Sequence, residues 1–118
     1  MKIIKNSLEG IKKAAEILTC GGIVAFPTET VYGLGANAFL KEAVSKVYKI
    51  KGRPSFNPLI IHVSSYHMAK KYGAFNDLAE KLTKKYWPGP LTIIVKRKKS
   101  DVVELATAKL DTIALRFP

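Results

Sequence analysis

Leu8, Ile11, Ala14, Ala15 and Leu18 recur at helical spacing and then meet Gly21-Gly22, which predicts an amphipathic helix with a glycine stop. Asn6 stands three residues before Glu9, a spacing suited to the start of that helix. The next run, Ile23-Val24-Ala25-Phe26, is apolar at every position and ends at Pro27, so it reads as a central strand covered on both faces. The polar loop Pro27-Thr28-Glu29-Thr30 then lies at the carboxyl end of that strand and leads into Val31-Tyr32-Gly33-Leu34-Gly35. A second helix fits Leu40 to Ile50, with Ala43, Val44, Val47 and Tyr48 facing inward and Gly52 as its cap. Leu59 to Val63 reads as another buried strand. Helical stretches follow over Tyr66 to Tyr72 and Leu78 to Tyr86, until Trp87-Pro88-Gly89-Pro90 breaks them. Leu91 to Lys96 and Thr112 to Phe117 have the pattern of further strands.

Alternating strands and helices predict a single α/β domain with a twisted, mostly parallel or mixed sheet. At 118 residues the chain can bury roughly two thirds of the surface of its unfolded form. It stops at Arg116-Phe117-Pro118, directly after a predicted strand, where an α/β domain would continue into a helix, so the expectation is a domain truncated at its C-terminal end. Cys20 is the only cysteine, which excludes an intrachain disulfide or a cysteine-based metal site and predicts a buried thiol in a reducing setting. No secretory signal core is present, and no apolar run approaches the ~20 residues that span a bilayer. The expected location is cytoplasmic, with no membrane partner. Twenty Lys and Arg against nine Asp and Glu give a net charge of +11, which favours polyanions such as nucleotides or RNA. Charge alone does not choose among them, because lysines on helices ordinarily form a solvated face.

Two segments carry the chemistry. Gly21 to Gly35 runs from a strand through a polar loop into a glycine-rich turn, and Lys51-Gly52-Arg53-Pro54 with Asn57-Pro58 sets a cationic loop before the apolar run ending in His62-Val63. Together they predict a pocket for a phosphorylated ligand. The blocks AFPTETVYGLG, KGRP with NPLIIHV, YWPGPLTIIV and DTIALRFP, in that order, resemble the YrdC/Sua5 family from about Gly21 onward. The resemblance implies a YrdC-like open sheet flanked by helices. It also implies a nucleotidyltransferase that makes threonylcarbamoyl-AMP from L-threonine, bicarbonate and ATP with release of pyrophosphate. That product serves tRNA t6A37 modification, and a downstream transferase of the Kae1/TsaD kind is an implied partner. Carried over by position, Thr30, His62 and Arg116 contact L-threonine, Arg53, Asn57 and Thr112 contact ATP, and Lys51 with Arg53 forms the family's KxR pair. The Ser-x-Asn motif that works with this pair does not follow Arg116 here, so residues 1–118 read as a partial YrdC-like domain.

The residues themselves fit those roles to different degrees. Lys51 offers a compact ammonium and Arg53 a planar fork, suited to holding a polyphosphate and stabilising a leaving pyrophosphate. Arg116 alternates with Leu115 and Phe117, so it points away from them, toward a pocket where it can clamp a carboxylate, or outward to solvent. His62, inside an apolar strand, is either a satisfied core histidine or a ligand contact. Thr30 has a hydroxyl for a substrate or for turn capping, and Glu29, the loop's only carboxylate, can orient a cation or the substrate amine. Gly33 and Gly35 lack the dinucleotide fingerprint and predict tight packing or a positive φ. Trp87 is assigned to structure. No metal-ligand spacing is present, so magnesium is expected to arrive on the phosphates of ATP. Two other readings are a non-catalytic tRNA- or double-stranded-RNA-binding module, supported by the charge, and a hydrogenase-maturation carbamoyltransferase, whose cysteine-rich zinc modules are absent here.

Overall fold

The computed structural model describes residues 1–118. Four strands form a mixed sheet in the order β3 (Ile60–His62), β6 (Thr112–Arg116), β5 (Thr92–Arg97) and β4 (Gly73–Ala74). β3 runs parallel to β6, whereas β5 is antiparallel to both β6 and β4. Period-two alternation then divides the sheet into two faces. Ile61, Ile93, Ile113 and Leu115 point to one side and join Val44 and Tyr48, Ala69, Ala79 and Ala106 in the core. Ile113 and Leu115 are 1% and 0% exposed, and burial of each contributes roughly 1.5–3 kcal/mol. His62, Ala114 and Arg116 lie on the opposite face, with Ile60 and Ile94 exposed beside them.

The helices form where periodicity and caps agree. α1 (Leu8–Thr19) starts at Ser7, whose Oγ accepts from the Gly10 amide at 3.1 Å, one residue later than the Asn6 spacing suggests. Leu8 and Ile11, expected inside, are 85% and 57% exposed, because this helix lies at the periphery of the packed core. Cys20 caps the same helix and is exposed, not buried, for the same reason. α2 (Lys41–Lys51) buries Ala43, Val44, Val47 and Tyr48 as its pattern requires, and Gly52 closes it in the left-handed region with φ 59°. After the short α3 (Tyr66–Ala69), α4 (Asp77–Tyr86) is capped by Asn76, whose Oδ1 accepts from the Ala79 amide, and a 3₁₀ turn spans Glu104–Thr107.

The largest departure concerns the first strand. β1 (Val24–Phe26) is not central. It pairs antiparallel with β2 (Gly33–Gly35) in a separate two-stranded ribbon, and Ala25 is exposed. An apolar run reports what a strand is able to bury, not which neighbours reach it. β2 is itself the segment read as a glycine turn. Neither glycine has a positive φ there, but a Cβ on Gly35 would stand 2.5 Å from Phe26 Cε1, so the reason for glycine is close approach. Trp87 also holds structure: its Nε1 donates to the Leu91 carbonyl at 2.8 Å, and its ring meets Phe75 and Phe117 edge-on. Beyond it, the Gly89 amide donates to the Phe117 carbonyl at 2.8 Å, fastening this turn to the end of β6.

Gly35→Ala should therefore push Phe26 out of place and destabilise the fold by about 1–3 kcal/mol, read by urea denaturation. An unchanged midpoint would refute the packing account of this glycine.

Candidate functional site

His62 and Arg116 are the last residues of the parallel pair β3 and β6, and they stand directly opposite one another in register. The loop after β1 reaches across to them. Glu29 forms an ion pair with Arg116 Nη2, and the same nitrogen donates to Thr30 Oγ1 at 3.4 Å. Arg116 Nε points at the Gly89 carbonyl, also at 3.4 Å. Both distances are long for hydrogen bonds, so the Glu29 carboxylate is the dominant partner. Within the loop, Thr28 Oγ1 donates to the Val31 carbonyl at 2.6 Å, accepts from the Thr30 amide at 3.2 Å and lies 3.1 Å from Thr30 Oγ1. Thr28 thus sets the loop conformation that presents Glu29 and Thr30. Residue type favours Thr in such turns, but nothing in the spacing marks which threonine is the organiser.

The Phe26 ring packs edge-on against His62, with centroids 5.9 Å apart at 75°. Half-buried in this way, the imidazole loses solvation of its charged form, which pushes its pKa below the ordinary 6.5. A neutral ring can donate from one nitrogen and accept at the other.

A cleft of about 480 Å³ opens beside the cluster, lined mainly by apolar residues together with Thr28, Asn37, Lys51, His62 and Arg116. Lys51 ends α2 and lines this cleft. Arg53 has another local role. Its Nε donates to the Asn57 carbonyl at 3.0 Å, and its Nη2 to Asn57 Oδ1 at 3.0 Å and to the Pro58 carbonyl at 2.6 Å. These bonds shape the turn between α2 and β3 and leave Nη1 available. Tyr48 supports the same turn from below, its hydroxyl lying 3.1 Å from the Asn57 carbonyl and 3.0 Å from that of Leu105. Burial raises the Tyr48 pKa, against the opposing effect of the Arg53 charge, so the hydroxyl stays a donor.

The structure thus gathers Thr30, His62 and Arg116 into one cluster, with Lys51 on the shared cleft. Arg53 and Asn57 are bonded to each other outside its lining. Thr112 shares a sheet face with Arg116 but sits at the far end of β6, about 13 Å away along the strand. Only an extended ligand would touch both ends. No group of three or more His, Cys, Asp and Glu side chains is placed to hold a metal, and no helix is long and apolar enough to cross a membrane.

The fold and this carboxyl-end cleft define a mixed α/β domain with a candidate binding site at its strand ends, and comparison with known proteins narrows the class. The Sua5/YciO/YrdC family model, described as "Telomere recombination", matches residues 16–118, and the chain belongs to that family. The threonylcarbamoyl-AMP synthase of Pyrococcus abyssi is 46% identical over 125 residues, an overlap covering 100% of this chain and 36% of that protein. The corresponding Bacillus subtilis protein is 47% identical over 109 residues, covering 92% and 32%. Pyrococcus abyssi Sua5, solved in complex with L-threonine, superposes with a TM-score of 0.90 at 43% identity over 97% of this chain and 34% of that one. HypF, solved with phosphate and nucleotide bound, gives a TM-score of 0.80 at 26% identity over 92% and 17%. The chain therefore spans about one third of the length of the two curated relatives named here.

The His62 environment gives a pH dependence with a definite sign. The unfolded chain takes up a proton near 6.5 while the folded state resists it, so the stability this residue contributes above that pH is lost as the pH falls toward the lower folded value. Melting temperatures should drop between about pH 7 and pH 5, and His62→Gln should show a smaller drop. Equal drops in both proteins would refute the assignment of a depressed pKa.

Proposed function

We propose that this chain carries the threonine- and polyphosphate-gripping part of a threonylcarbamoyl-AMP synthase, acting in tRNA threonylcarbamoyladenosine formation. The observation that carries the reading is the convergence of Arg116, Thr30 and His62 at the carboxyl ends of β3 and β6, beside a cleft that also receives Lys51. Relatives bearing the name of that enzyme, and a similar structure holding L-threonine, support it.

Arg116 takes the threonine carboxylate on its fork, while Thr30 Oγ1 and the neutral His62 ring supply directional hydrogen bonds. The ammonium gives up one proton to solvent, and the free amine then reacts with bicarbonate to give a carbamate and water. A carbamate oxygen then attacks the α-phosphorus of ATP, and pyrophosphate leaves from the opposite side. Lys51 meets the negative charge that grows on the leaving phosphates. Arg53 keeps the turn that carries Asn57 in one conformation and offers Nη1 to the nucleotide. ATP would enter as its magnesium complex, the ion supplying charge neutralisation at the phosphates beside Lys51. The adenylate product is consumed by a transferase that delivers the group to tRNA.

Isothermal titration of the folded chain should show L-threonine binding that weakens about tenfold or more in Arg116→Ala, as expected for loss of a charge-assisted pair worth ~1.5–3 kcal/mol. Arg116→Lys should recover little of it, because an ammonium lacks the fork. Lys51→Ala should weaken ATP without affecting threonine. Pyrophosphate release that requires both L-threonine and bicarbonate, with the adenylate seen by mass spectrometry, would establish turnover. Unaltered threonine affinity in Arg116→Ala, or salt-dependent RNA binding with no binding of either small ligand, would overturn the assignment.

A further inference from the structure

Glu29 is placed without a structural need for it. It pairs with Arg116 across the top of the site, yet its side chain is 38% exposed, and half-open ion pairs of this kind contribute little to stability. The loop that carries it is already shaped by Thr28, whose hydroxyl bonds to the Val31 carbonyl and the Thr30 amide. The Arg116 side chain, by contrast, is only 11% exposed and has no other carboxylate against it. An acid and a base thus stand in contact at one end of an apolar cleft, next to the hydroxyl of Thr30.

A free α-amino acid carries the complementary pair, a carboxylate and an ammonium on one carbon. We propose that Glu29 is the ammonium-binding residue of this site, so that an incoming zwitterion inserts between Glu29 and Arg116 and exchanges one internal ion pair for two intermolecular ones. The proposal rests on the reading of the cleft as a threonine site and deepens it by assigning the selection for free amino acids. The exchange is electrically neutral: two site charges and two ligand charges cancel in pairs, and no charge is left uncompensated as water is displaced. A hydroxy acid of the same carbon skeleton would take Arg116 but leave Glu29 without its partner and facing a second carboxylate. Rejection of the amine-free analogue therefore comes from repulsion and from an unpaired charge.

Titration with two ligands separates this role from a mere latch. L-Threonine and 3-hydroxybutanoate share a carboxylate and a β-hydroxyl and differ in the amine. The native chain should bind threonine at least tenfold more tightly. Glu29→Gln, which keeps the shape of the side chain, should weaken threonine about tenfold while leaving 3-hydroxybutanoate unchanged or tighter, because Arg116 is released. Glu29→Asp should recover part of the threonine affinity, and matched melting curves should show that the variants fold. Threonine binding that is unchanged or tightened in Glu29→Gln would overturn the proposal and make Glu29 a competitor for Arg116. An equal loss of both ligands would also overturn it, reducing Glu29 to a loop support. If Arg116→Ala abolishes threonine binding while Glu29→Gln does not, the threonine site stands and the ammonium assignment falls. If the native chain binds neither ligand, the reading of the cleft itself fails.

Discussion

The parallel pairing of β3 with β6 is the constraint on which the rest of this molecule depends. Its register sets Ile61 against Leu115 on one face and His62 against Arg116 on the other. A slip of β3 by one residue against β6, which β5 holds in place, would send Ile61 to the outer face and drive the His62 imidazole toward the core. The hydrophobic effect therefore fixes the site indirectly: by demanding that Ile61 and Leu115 meet inside, it obliges the two polar side chains to meet outside, at the strand ends.

A second set of contacts joins the cationic loop to that frame. Tyr48 is buried on α2, and its hydroxyl reaches both the Asn57 carbonyl and the 3₁₀ turn through Leu105. Arg53 closes the same turn from the surface. Lys51 lies between these two anchors, at the helix end that Gly52 terminates. The lysine thus keeps a flexible four-carbon stem on a fixed base.

Local pattern carried much of this architecture. The buried stripe of α2, the Gly52 cap, the breaks around Trp87 and strands β5 and β6 follow from periodicity and turn chemistry within a few residues. Alternation with Leu115 and Phe117 puts Arg116 on the face opposite to theirs, without deciding between a pocket and solvent. What failed depended on neighbours distant in sequence. Val24–Phe26 has the composition of a central strand yet pairs with one glycine-rich partner, and Cys20 has the composition of a buried residue yet sits on a peripheral helix end. β4, two residues long, is too short to leave a pattern. Within the site, the family resemblance nominated Thr30 and His62, and residue type raised Glu29 only as the loop's one carboxylate; their convergence on Arg116 joins separate elements and has no local signature.

Trp87 is the only tryptophan in the chain, and its ring lies edge-on to Phe117, the residue after Arg116. The Gly89 carbonyl faces Arg116 Nε, and the Gly89 amide is bonded to Phe117. The indole thus packs against the residue next to Arg116 and belongs to the turn whose glycine faces the Arg116 fork. The protein carries an intrinsic optical probe of its own arginine: emission from a single chromophore should register what occupies the cleft, with no label attached.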